Sequence, residues 1–165
     1  MRPEISSWLI WLSFIPAIVL SIIPIPALLE YARPLWSLLF VIFWMIMAPE
    51  KVGLFTAWSI GLFMDILTGS APGQQALALL LSSLLIACMH NRIYRVKFPE
   101  QCLFVMYAII IFQLTYLWVG IITEKIHFNF FYFIPIGTSI IIWPVVFFIL
   151  DKFCCIYSTK SFTSQ

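Results

Sequence analysis

The chain is built from long apolar runs separated by short polar breaks. The runs cover about residues 8–23, 35–48, 52–68, 75–89, 102–122 and 133–150. None alternates residue by residue, so helices are predicted rather than the strands of a closed barrel. Crossing a bilayer core takes about 20 helical residues. Several runs are shorter and must thin the bilayer locally or pack inside a bundle. The second, bounded by Pro34 and Pro49, is the clearest case. Pro16 predicts a kink in the first run, and Trp143-Pro144 a kink or a binding seam in the sixth. No small-x-small cleavage site follows Ile23, so the first run reads as a retained helix. The fold class expected is an all-α integral membrane protein, a six-transmembrane-helix bundle. Residues 1–153 form its one membrane domain, and residues 154–165 a disordered cytoplasmic tail.

Composition leaves little room for another class. Of 165 residues, 63% are hydrophobic and 10% charged, against about 25% charged in soluble domains. The surplus apolar side chain must face lipid. The net charge of +2 and the lack of a dense basic cluster exclude nucleic acid as a partner. Six spans place both termini on one side, with Arg2, Lys51, Arg92, Arg95, Lys97, Lys152 and Lys160; Arg33 and Lys125 fall on the other. Basic loops stay in the cytoplasm, so both termini are expected there. The basic loop at 90–98 is either a topology signal alone or a dock for a cytoplasmic partner.

Candidate chemistry is sparse. Asp65 is the one acid well inside a span, so the paired carboxylates of an intramembrane aspartyl protease are missing. Ser70, His90 and His127 lie outside the spans and form no serine-histidine pair within the bundle. Cys88, His90, Cys102, Cys154 and Cys155 match no compact metal-ligand spacing. No catalytic residue, metal or cofactor is expected. The aromatic residues, including 127–133, read as an interfacial belt or as a groove for another protein's helix.

Asp65 sits about 6 Å below the end of its helix at 1.5 Å per residue. Gly53, Ala57, Gly61, Asp65 and Gly69 recur every fourth residue on one helix face. Such a stripe predicts a helix-packing seam that lets another backbone approach closely. Ser70, Pro72 and Gly73 form the turn that follows, with Pro and Gly placed for a type II turn. Asp65 then has three readings: a cap on the next helix, an ion pair with Arg33, or a contact with a ligand or partner. Arg33, Asp65 and Gln113 form a candidate outer-face polar cluster. If they line one pocket, a small-molecule or lipid-binding transporter subunit is the alternative function.

The segments 33–44 (RPLWSLLFVIFW), 61–77 (GLFMDILTGSAPGQQAL) and 143–148 (WPVVFF) carry a resemblance to the MreD family of rod shape-determining proteins, gammaproteobacterial type. It covers most of the chain, and the Asp-x-x-x-Gly-Ser turn is its most specific motif. At Gln113 the chain has an amide where the family can carry an acid. The resemblance implies a fold similar to the substrate-binding subunits of energy-coupling-factor vitamin transporters. It also implies a non-enzymatic inner-membrane subunit of the cell-elongation machinery. The implied partners are an MreC-like protein, the MreB filament, RodA and a class B penicillin-binding protein, besides membrane lipid and a second copy of the chain. Helix capture is the expected mechanism, with the bundle holding the MreC transmembrane helix.

Overall fold

A computed structural model describes residues 7–23, 33–93, 95–123 and 130–162. Among them are six α-helices, a short 3-10 segment and no strand. The helices are α1 (Ser7–Ile22), α2 (Trp36–Met47), α3 (Leu54–Thr68), α4 (Gln74–Ile93), α5 (Phe98–Ile122) and α6 (Ile134–Phe162).

Each apolar run becomes one helix, and local chemistry sets the ends. α2 stops before Ala48-Pro49, because Pro disfavours helical geometry in the residue ahead of it. Lys51 and Val52 then donate backbone N–H to the Ala48 carbonyl, closing the turn into α3. α3 ends at Gly69, whose φ of 66° is the left-handed conformation that closes many helices. α5 begins with Pro99 in its first turn, where a missing N–H costs nothing, and Glu100 complements the positive end of the helix dipole.

Burial assigns the layers. Every residue of α2 from Ser37 to Ile46 is buried. A helix apolar all round belongs inside, and α2 packs against α1, α4 and α6. Its 12 residues span about 18 Å, so this short run is an inner strut of the bundle. α3 and α4 pair as a hairpin, as do α4 and α5, and α5 continues the packing to α6. α6 buries Ser139, Trp143, Val146 and Leu150, one narrow stripe, and turns Ile141, Val145 and Phe148 outward. Segments 99–122 and 131–154 are long and apolar enough to cross a membrane, and four shorter apolar helices accompany them.

One expectation needs revision. α6 runs to Phe162, so residues 154–162 continue the helix where a disordered tail was expected; 163–165 lie outside the described residues. Pro144 sits within α6 while the helix carries on past it. Trp143 faces the core, 1% exposed, with its indole against Phe147 (centroids 5.8 Å apart). Part of the aromatic stretch, 127–129, lies outside the described residues, as do Arg2 and Lys125.

Candidate functional site

Three buried polar residues, Asp65, Gln74 and Gln75, meet where the α3–α4 turn closes. The turn itself is hydrogen-bonded: Gln74 N–H donates to the Ala71 carbonyl (2.9 Å), Pro72 precedes Gly73, and Gly73 takes φ of 90°. The residue at the cap position of α4 is therefore a glycine, with no side chain to receive the first free N–H groups of the helix.

Asp65 fills that role from the preceding helix. Its Oδ1 accepts from Ser70 Oγ (2.6 Å) and from Gln75 N–H (2.8 Å). Its Oδ2 accepts from Gly73 N–H (2.9 Å) and Ala76 N–H (3.3 Å). Gln75 and Ala76 are the second and third residues of α4, the donors an ordinary cap side chain would bind. The positive end of the α4 dipole lies beside the same two oxygens. At 4% exposure, the acid is a helix cap supplied across a turn.

Two glutamines that the sequence reading did not single out extend this junction. Gln75 Nε2 donates to Thr68 Oγ1 (2.7 Å), tying the start of α4 to the end of α3. Gln74 Oε1 accepts from Ala71 N–H, and its Nε2 donates to the Tyr116 carbonyl on α5 (3.0 Å). Both glutamines are buried. Adjacent amides after a Pro-Gly turn, in so apolar a chain, were the available signal.

The stripe at every fourth residue divides by cause. A Cβ at Gly61 would overlap the Ala76 Cα and lie 2.8 Å from the Ala76 nitrogen, so α3 and α4 touch there backbone to backbone. Ala57 is fully buried on the same face. Gly53 and Gly69 have open space around them; the first caps α3 and the second supplies the left-handed φ. The seam is thus filled by the chain's own α4, and its close approach is confined to the middle of the stripe.

Arg33, Asp65 and Gln113 serve three separate junctions. Arg33 Nη2 donates to the carbonyls of Leu20 (2.9 Å) and Ile23 (2.8 Å), closing the end of α1. Gln113 Nε2 donates to the Tyr132 carbonyl (2.7 Å), fastening the 3-10 segment at 130–133 to α5. All four hydrogen bonds of Asp65 stay within residues 70–76. Ser139, outside the predicted cluster, makes a fourth junction by accepting from Leu35 N–H (2.9 Å), joining α6 to the start of α2. Among the described residues, no ion pair joins Arg33 to Asp65. In a double-mutant cycle, Arg33→Ala and Asp65→Ala should be additive within about 0.5 kcal/mol, as for independent sites. A coupling above about 1 kcal/mol in detergent melts would show that the two charges do interact.

The comparisons with known proteins agree with one another. The model of the family described as rod shape-determining protein MreD matches residues 3–153. The rod shape-determining protein MreD of Haemophilus influenzae is 29% identical over 152 residues, 90% of this chain and 92% of that relative. No solved structure is significantly similar, so the likeness to vitamin-transporter subunits rests on the family resemblance alone.

Proposed function

The chain belongs to the MreD family of rod shape-determining proteins, a bacterial membrane family, and from that premise we propose that it is a non-enzymatic scaffold of the cell-elongation complex. It binds the transmembrane helix of an MreC-like protein and so links that partner's periplasmic part to lateral peptidoglycan synthesis. The wider assembly holds MreB, RodA and a class B penicillin-binding protein. One observation carries the reading: interior polar groups such as Asp65, Gln74, Gln75 and Ser139 hydrogen-bond to the chain itself, while large apolar side chains face outward. Such a bundle offers other helices an apolar surface. Helix association in lipid then rests on close packing, because lipid supplies no hydrophobic push.

The docking face we assign is the outward side of α6. The stripe on α3 is filled by α4, whereas Gly137 has open space where a Cβ would stand, above exposed Ile141, Val145 and Phe148. Gly137→Leu should leave the detergent melting temperature unchanged and lower MreC co-purification about tenfold, the worth of about 1.4 kcal/mol of lost packing. Full retention of the partner by a folded Gly137→Leu protein would remove this face from the proposal.

We further propose six spans in the inner membrane, with both termini cytoplasmic. Lys51, Arg92, Arg95, Lys97 and Lys152 are exposed; six antiparallel spans would put them at the end opposite the α3–α4 turn, and the positive-inside rule directs that end inward. Alkaline phosphatase fused after Gly73 should be active, and fused after Lys97 inactive. The reverse pattern would invert the topology.

A further inference from the structure

Two concavities flank the α2–α3 loop at the basic end of the bundle, far from the Asp65 junction. The larger, about 330 Å³, is lined by Met45, Pro49, Val52, Gly53, Leu54, Ala87 and His90. Its size falls within the range of small-ligand sites, roughly 300–1,000 Å³. The smaller, about 160 Å³, is lined by Ile10, Trp11, Phe14, Lys51, Val52 and Thr56. Val52 belongs to both linings, so one buried loop residue divides the two hollows.

The linings have a common chemistry. Their walls are apolar side chains from α1, α2, α3 and α4. Each hollow adds a polar head, Lys51 in one and the His90 imidazole in the other. Gly53 caps α3 without a side chain, and no acidic residue stands in the first turn of that helix, so its dipole adds positive potential on the same side. Glu50 is exposed on the loop and outside both linings.

We propose that this loop is a binding site for one anionic glycerophospholipid. An acyl chain lies against Met45, Leu54 and Ala87, and the phosphate sits over the loop between Lys51 and His90. The match is one of shape and charge together. An apolar wall beside the Lys51 ammonium and the His90 imidazole at a membrane surface suits a molecule with an apolar chain and an anionic head, and a free anion would leave the wall uncovered. The site is independent of partner binding on α6, so either proposal can fail without the other.

The test is native mass spectrometry of the full chain in mild detergent, offered equal amounts of phosphatidylglycerol and phosphatidylcholine. Retention of phosphatidylglycerol should be favoured at least about fivefold, as expected for one basic side chain near an anionic head group. The double variant Lys51→Gln, His90→Gln should bring that preference close to unity. Lys97→Gln, exposed at the same end but outside both linings, should leave it intact. Ala87→Phe, which fills the larger hollow, should lower retention of both lipids at the site. Equal retention of the two lipids by the unaltered chain would overturn the proposal. So would an undiminished preference in the double variant, or displacement of the lipid by excess inorganic phosphate, which would mark a free-anion site. If Ala87→Phe does not fold, the charge variants still decide the matter.

Discussion

Gly61→Leu is expected to prevent the α3–α4 hairpin from closing. The position has no room even for one carbon: a Cβ overlaps the Ala76 Cα and lies 3.0 Å from the Gln75 carbonyl oxygen. Both neighbours are backbone, and they belong to the helix turn that Asp65 caps. A flexible side chain could rotate away, but a helix backbone can only move as a unit. Overpacking ordinarily costs about 1–3 kcal/mol, occasionally more. Here the displacement also stretches the capping bonds to Gln75 and Ala76, so Gly61→Ala should lose about 3 kcal/mol and Gly61→Leu more. The measurement is the detergent melting temperature, with size-exclusion elution as the fold control. Substitution of Gly53, which has open space, is the matched comparison and should change the melting temperature little. Equal stability of Gly61→Leu and the unaltered protein would show that the close approach is not required. The expected loss of cell shape in Gly61→Leu is therefore a folding defect and carries no information on where a partner docks.

Asp65→Ala should be the second severe change. It removes the acceptor of four hydrogen bonds, three of them from backbone N–H groups of Gly73, Gln75 and Ala76. A buried donor left unpaired costs about 1–3 kcal/mol, and bonds to a charged acceptor are worth more than neutral ones. Relaxation of the turn recovers part, leaving a loss of about 3–5 kcal/mol, or roughly 10 °C in melting temperature for a chain of this size. Asp65→Asn keeps one oxygen and should fall between. Ser70→Ala removes a single donor and should cost about 1 kcal/mol. This ordering separates a cap from a ligand contact. A cap ranks the variants by melting temperature, with shape rescue following stability. A contact would leave Asp65→Ala fully stable and inactive. A melting temperature within about 2 °C of the unaltered protein would end the capping account.

The helices were legible because lipid imposes continuous apolar runs, and each run between Pro, Gly and charged breaks became one helix. The turn at Ala71–Gln74 was equally legible, since Pro and Gly restrict φ locally. Asp65 was located correctly by the same logic, as a lone acid one turn from a helix end. Its partner was one of three readings: the cap on the next helix is the one found, and the ion pair with Arg33 is not. Capping needs only donors five to eleven residues further on, whereas Arg33 and Gln113 belong to other parts of the chain whose packing no local pattern fixes. The small-residue stripe was read as one seam because period and size are all that a sequence displays. Only the tertiary structure separates Gly61, required by contact, from Gly69, required by φ, and from Gly53, constrained by neither.

By itself, then, the sequence determined that this chain is helical, apolar enough for a membrane, divided into six segments, and punctuated by one capped turn. Those properties follow from side-chain transfer and local backbone sterics, which act over a few residues. Tertiary structure decided the rest. It enclosed α2, filled the α3 seam with α4, sent Arg33 to the end of α1, and left the outer side of α6 open at Gly137. The physical reason is that every helix here is apolar on most sides. Hydrophobicity alone cannot tell a lipid-facing side from a buried one, so helix order is chosen by close backbone approach and by where a few polar atoms find partners.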